Sequence, residues 1–216
     1  MSVHLKRKQR NYLAVLLLSV QISMFLEPFV RLAGDQRGRR SNMSFDKDLI
    51  NTLRYEGGIT NDNGVLTNYG IRQDIYDFYL KSNKLPNKSV KDLNYGEVRD
   101  FYEKEYYKKP KIDQLPEDIQ GLVFDSSVNL GQVTTIKQLQ RVVGSKPDGI
   151  VGKNTIKAID NFIKNNSMER LKEEIIYSRA DHYQLLHSSK PERYGKYTEG
   201  WMNRLRDLSA KNGIEI

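Results

Sequence analysis

Residues 54–71, RYEGGITNDNGVLTNYGI, decide how this chain is read. Glu56 is followed at once by Gly57 and Gly58, and a polar loop then runs into Thr67, Asn68, Tyr69 and Gly70. Upstream, Phe45, Leu49 and Leu53 recur at i, i+4 and i+8 with Ile50 widening the stripe. That spacing, with Ser44 as N-cap, predicts an amphipathic helix ending on the glycine pair, with Glu56 in its last turn. A carboxylate there opposes the helix dipole, at a cost of about a few tenths of a kcal/mol. Two readings fit. One is a plain helix stop; the other is an acid at the mouth of a cleft, with glycines that let a ligand approach the backbone. Asn63-Gly64 is a short-hairpin signal, so a small β-ribbon or tight loop is expected after Glu56.

Working outward, Ile71, Ile75, Phe78 and Tyr79 mark the next helix, and residues 81–88 form a loop around Pro86. A tyrosine-rich amphipathic helix is predicted over 94–109, carrying Val98, Phe101, Tyr102 and Tyr106. Another starts at Pro116-Glu117 and carries Ile119, Leu122 and Val123. Further helices are predicted over 133–143, 155–163, 168–187 and 201–210. No strand series and no internal repeat is present, so the fold class is mainly α with one small β element.

The chain has 216 residues, enough for one sizeable core, with 38% hydrophobic and 29% charged residues. It has no cysteine, which excludes a disulfide framework and cysteine-based zinc sites. Thirteen tyrosines stand against one tryptophan, a set that suits core edges and sugar-binding grooves alike. The net charge of +8 is uneven: residues 1–40 hold eight basic and two acidic side chains, leaving +2 for the remaining 176. A basic nucleic-acid groove would need a basic body, so no nucleic-acid partner is expected. Residues 13–26, LAVLLLSVQISMFL, are almost wholly apolar and follow Lys6, Arg7, Lys8 and Arg10. This reads as an apolar signal or uncleaved signal-anchor helix that places the body outside the inner membrane. Residues 34–42 read as a polar linker.

Cofactor and nucleophile signatures are missing: there is no GxGxxG, P-loop, GxSxG elbow or His-x-x-x-His pair. His182 and His187 are five apart and point in different directions on a helix, so neither metal nor cofactor is expected. Carboxylate chemistry remains. Glycosidic hydrolysis needs an acid for the leaving oxygen and commonly a second carboxylate for the water or the positive charge. Glu56 at a helix end fits the first role.

Several segments together resemble glycoside hydrolase family 108, the phage and bacterial N-acetylmuramidases. They are EGG, a polar ND loop and TNYGI; then VKDLNYGEVRDFYEKEYYKKPKIDQLP with its Y-x-x-x-Y stretch; and VFDSSVNLG over 123–131. LQRVVGSKPDGIVGKNTIKAI over 139–159 is similar to the family's C-terminal predicted peptidoglycan-binding region, and GWMNRL over 200–205 to its Gly-Trp-x-x-Arg. The resemblance covers about 44–206. It implies a lysozyme-like helical fold with one small β-ribbon that hydrolyses the β-1,4 bond between N-acetylmuramic acid and N-acetylglucosamine. It implies that Glu56 is the general acid and that Thr67 positions the attacking water. The family loop ND-P-x-D-P-G-G-x-T is shortened here to NDNGVLT, which removes one loop aspartate and leaves Asp62 as the candidate second carboxylate.

Asp125 and Asn129, four apart on one helical face, fit sugar acetamido groups or ordinary capping roles equally. Tyr69 fits stacking on a sugar or packing; Trp201 fits a core anchor better than a sugar platform. The domain reading is an N-terminal segment and linker over 1–40, a muramidase region over 41–131, and a helical peptidoglycan-binding-like region over 132–216 packed against it. The expected protein is an exported or membrane-tethered monomeric muramidase of the endolysin kind, acting on peptidoglycan glycan strands. The alternative is a weak or inactive wall-binding or virion structural protein of the same fold.

Overall fold

The computed structural model describes residues 36–62 and 64–216, with side chains from Met43 onward apart from that of Asp62. The apolar stretch over 13–26, and with it the expected signal or anchor, lies outside the described residues. Among the described residues no helix is long and apolar enough to cross a membrane.

Eight α-helices and a three-stranded sheet make up the described part, so the mainly α expectation holds. Helix α1, Gln36–Leu53, starts inside the stretch expected as linker, and Ser44 is therefore within the helix rather than at its cap. Straight-chain Gln36, Arg37, Arg39 and Arg40 are good helix formers, which the loop reading undervalued. The helix buries Phe45, Leu49, Thr52 and Leu53. It ends at Leu53, and two i→i+3 bonds tighten the exit: Tyr55 N donates to Thr52 O at 3.1 Å and Glu56 N to Leu53 O at 3.2 Å. Glu56 thus stands just past the helix. Neither Gly57 nor Gly58 has positive φ, and a methyl on either would meet nothing within 4 Å, so the pair faces open space.

Strands β1, Thr60–Asp62, β2, Val65–Asn68, and β3, Ile71–Arg72, form an antiparallel meander. Asp62 pairs with Val65, so residues 63–64 make the expected two-residue connection, with Gly64 at φ 85°. The second hairpin is as tight: Asn68 pairs with Ile71 across Tyr69 (φ 51°) and Gly70 (φ 74°). Two successive left-handed residues are what a type I′ turn requires, yet a tyrosine there is unusual. Tyr102 stabilises it by donating its hydroxyl to Tyr69 O at 2.8 Å. The Asn68 amide ties the sheet to the body through Val90 O at 2.8 Å.

Helix α2, Gln73–Ser82, buries Tyr76, Tyr79 and Leu80, whereas Ile75 and Phe78 are exposed. The expected stripe assumed that Ile71 opened this helix; Ile71 instead ends the ribbon, and the helix turns its tyrosines toward Phe101. Helix α3, Tyr95–Tyr102, begins on an Asn94–Glu97 capping box and continues as a π-helical segment, Glu103–Lys108. Such wide turns leave carbonyls to be caught from outside, and Gln132 donates to Glu105 O at 2.7 Å. Helix α4, Glu117–Leu130, is the centre of the molecule: residues 122–127 are all buried. It packs on α1, on α5, Gln132–Val142, and on α7, Met168–Ser189. Rings of Phe45, Tyr102, Tyr107 and Phe124 fill the space between α1, α3, the π segment and α4.

Helix α6 is Lys153–Asn165, and α8, Pro191–Lys211, packs along α7. Helix α8 starts ten residues before the apolar pattern does, because Pro191 in its first turn favours nucleation there. The 139–159 motif has a structural explanation. Gln140 is buried and donates to Asp148 Oδ1 (2.7 Å), Ile150 O (3.0 Å) and Thr155 Oγ1 (3.0 Å), while its carbonyl accepts from Gly149 N (2.8 Å). One amide therefore holds the whole loop between α5 and α6.

Candidate active site

Residues from four distant parts of the chain meet behind the β-ribbon. Asp125, on α4, is 3% exposed and lies between two arginines. Arg179 Nη1, from α7, donates to its Oδ1 at 2.7 Å. Arg204, from α8, donates through Nε to Oδ1 at 3.0 Å and through Nη2 to Oδ2 at 2.9 Å. Thr52, on α1, donates to Oδ2 at 3.1 Å. Arg204 then turns its remaining arm outward, and Nη1 donates to Glu56 Oε1 at 2.9 Å. Two guanidiniums balance two carboxylates, which a buried ionic cluster needs in order to offset its desolvation. Burial alone would raise the Asp125 carboxyl, but Arg179 and Arg204 outweigh it and hold the group below the usual carboxylate range. Burial likewise opposes the charge on Arg204, and Asp125 and Glu56 outweigh it, so the guanidinium is held above its ordinary value.

Glu56 is the only member of the four that reaches the surface, its side chain retaining 20% exposure. Its Oε1 is fixed by Arg204, and Oε2 accepts no hydrogen bond among the described residues. Oε2 lies against the Tyr69-Gly70 turn: a Cβ built on Gly70 would sit 2.6 Å from it and 2.9 Å from the Tyr102 hydroxyl. Burial first, then the Glu56 charge, push the Tyr102 hydroxyl well above its ordinary value, so it stays a neutral donor to Tyr69 O. Tyr106 from the π segment and Tyr55 are the other aromatics near this carboxylate, the Arg204 guanidinium lying 4.9 Å over the Tyr55 ring. Tyr55 donates in turn to Asp207 of α8.

The residues singled out from sequence divide into those at the Glu56 rim and those behind it. Tyr69 is half-buried, packed on the core and part of the turn at Glu56. Thr67 is half-buried in β2, between Thr60 and Arg72 across the ladders, on the face opposite Asn68, and its hydroxyl has no partner among the described residues. Asp62 is placed by its backbone opposite Val65, and its side chain lies outside the described residues. Asp125, expected to serve as a ligand for a sugar acetamido group or as a cap, is enclosed, with both oxygens bonded to arginines. Asn129 accepts from the Tyr183 hydroxyl at 2.6 Å, and that hydroxyl accepts from Arg179 Nε at 2.7 Å, so Asn129 belongs to the outer edge of the same network. Trp201 stacks on Tyr183 at 5.0 Å, as a core anchor does. Among the described residues no cluster of three metal-ligating side chains occurs.

Two residues were not singled out: Arg179 and Arg204. Arg204 is the last member of the Gly-Trp-x-x-Arg motif, which is its signal in the sequence. Arg179 has none beyond being a cation amid the apolar positions of α7.

The site is thus a partly exposed carboxylate held by a buried arginine beside a left-handed turn and aromatic side chains. Residues 49–131 match the family described as glycosyl hydrolase 108, and residues 134–206 match the predicted peptidoglycan domain. The chain therefore carries a glycosyl hydrolase 108 domain with a predicted peptidoglycan domain at its C-terminal side. Among solved structures it is similar to SagA of Brucella abortus, with a TM-score of 0.61 at 24% identity, over 79% of this chain and 94% of that one. That likeness is one of fold. No curated protein matches the chain.

Proposed function

We propose that the chain is an N-acetylmuramidase, cleaving the β-1,4 bond from N-acetylmuramic acid to N-acetylglucosamine in peptidoglycan, with Glu56 as general acid. The observation that carries this reading is Glu56 itself, the one carboxylate of the buried cluster that opens to solvent, inside the hydrolase-matched segment. In the reaction Glu56 gives its proton to the glycosidic oxygen as the bond to the anomeric carbon breaks. Arg204 then stabilises the carboxylate that remains. Water completes the cleavage, with Asp62 taking its proton or stabilising the positive sugar and Thr67 positioning it. The glycine pair leaves the backbone beyond Glu56 open to a glycan strand.

The basic and apolar start of the sequence supports export, with the body tethered to or released beyond the inner membrane of a host bacterium, as a monomeric endolysin would be. Fractionation of cells expressing the full chain tests this: recovery in the cytosol alone rejects it.

Digestion of purified peptidoglycan tests the chemistry. New reducing ends on muramic acid are expected, abolished in Glu56→Gln; reducing ends on glucosamine would make the enzyme a glucosaminidase. The shortened loop after Asp62 favours one competing reading, a wall-binding protein without activity. Equal turbidity loss for wild type and Glu56→Gln would end the Glu56 assignment.

A further inference from the structure

The geometry points to Arg204 and Asp125 as positioning residues for the catalytic carboxylate, so that the predicted peptidoglycan domain completes the active site instead of serving only to bind wall. This rests on the assignment of Glu56 as the acid. Arg204 comes from α8, within the segment matched as the peptidoglycan domain, while Glu56 and Asp125 come from the segment matched as the hydrolase. The guanidinium is almost fully buried, and its donors are divided between the two carboxylates: Nε and Nη2 toward Asp125, Nη1 toward Glu56. Nothing else donates to Glu56 among the described residues. Its orientation therefore depends on a residue 148 positions away.

The division of one charge between two carboxylates also sets the field at Glu56. Asp125 draws on Arg204 from behind, and Arg179 on α7 in turn shares the Asp125 charge. The other groups acting on Glu56 are Tyr102 and Tyr106, from α3 and the π segment, while Tyr55 lies against the Arg204 guanidinium and bonds Asp207. The tyrosines are neutral, so Arg204 is the full charge in direct contact, and Asp125 governs how much of its field Glu56 feels. A residue that merely held the fold together would not have this property.

The consequence is a loss in turnover that substrate binding does not share. Arg204→Lys keeps a cation but not the planar fork that reaches both carboxylates, so kcat should fall at least tenfold with KM within about twofold of wild type. Asp125→Asn does not touch Glu56, yet it loosens the guanidinium that does and should lower kcat in the same way. The experiment is kcat and KM on soluble glycan strands for the full chain, each variant assayed well below its own unfolding midpoint, alongside Glu56→Gln. Losses confined to kcat in both variants, with a silent Glu56→Gln, support the inference. A kcat within about threefold of wild type in either variant, or a loss carried by KM, overturns it while leaving Glu56 in place. An active Glu56→Gln would instead refute the assignment beneath it.

Discussion

Arg204 Nη1 and Glu56 Oε1 lie 2.9 Å apart although 148 residues separate them in the chain. The contact depends on everything that seats α8 on α7 and α4, so the site is sensitive to changes well away from it.

Asp125 is the hub of that seating. Removing one partner of a buried ion pair strands the others without compensation, at about 3–5 kcal/mol. Asp125→Ala should lose that much in chemical denaturation. The carboxyl is held low in the folded state. Its stabilising contribution is therefore fully present above the unfolded carboxylate range and is lost as pH falls through the lower folded value. The gap between wild type and Asp125→Ala in urea melts should be widest at neutral pH and narrow under acid; a pH-independent gap would contradict the cluster.

Asp48 behaves the other way. Burial, more than any charge, raises its carboxyl to about 6, with Asp125 and Glu117 adding to the shift against Lys47. It leans on Gly121, where a Cβ would meet its Oδ1 at 2.6 Å. A folded pKa above the unfolded one favours the fold at low pH, and the benefit is lost as pH rises from about 4 to about 6. Asp48→Asn should accordingly be more stable than wild type at pH 7 by about 1–3 kcal/mol, and no more stable at pH 4. Thermal melts at the two pH values check the sign.

Gly70 tests the turn at the acid. Gly70→Ala meets both a positive φ and a Cβ 2.6 Å from Glu56 Oε2, whereas Gly64→Ala meets only the positive φ. Both should cost about 1–2 kcal/mol of stability. Turnover on peptidoglycan should fall more than tenfold for Gly70→Ala and by less than threefold for Gly64→Ala. Equal losses would mean that the turn does not locate the acid.

Gln140→Ala should destabilise the protein by about 2–3 kcal/mol, because it leaves Gly149 N without its acceptor and removes the donor to Asp148, Ile150 O and Thr155. Amide exchange in 144–152 should accelerate while that in α4 is unchanged. Intact loop protection would show that the four bonds are dispensable.

The sequence made the helical character legible because Phe45/Leu49/Leu53 and Val98/Phe101/Tyr102 follow the 3.6 period, and it located the first hairpin connection through Asn63-Gly64, while the second, at Tyr69-Gly70, was hidden because a tyrosine is a rare left-handed residue. It misplaced the start of α8, since residues 191–200 are mostly polar and exposed and carry no apolar period. It misread Ile75 and Phe78 because periodicity gives a stripe without saying which residue opens the helix. Glu56 could be found from its glycines and its companion motifs. Asp125 is legible as a functional or capping carboxylate but not as an enclosed one: a carboxylate four residues from an asparagine looks alike whether it faces solvent or two arginines. Only the fold reveals that VFDSSVNLG and GWMNRL matter to each other.

The placement of Arg204 also bears on how such chains can be recombined. A wall-binding segment that merely tethers its enzyme can be traded for another by joining at the seam near residue 132. Here that exchange would leave Glu56 facing an empty socket. A working chimera would have to import a helix bearing an arginine at the same height, and shuffling by whole segments is confined to pairs that already share it.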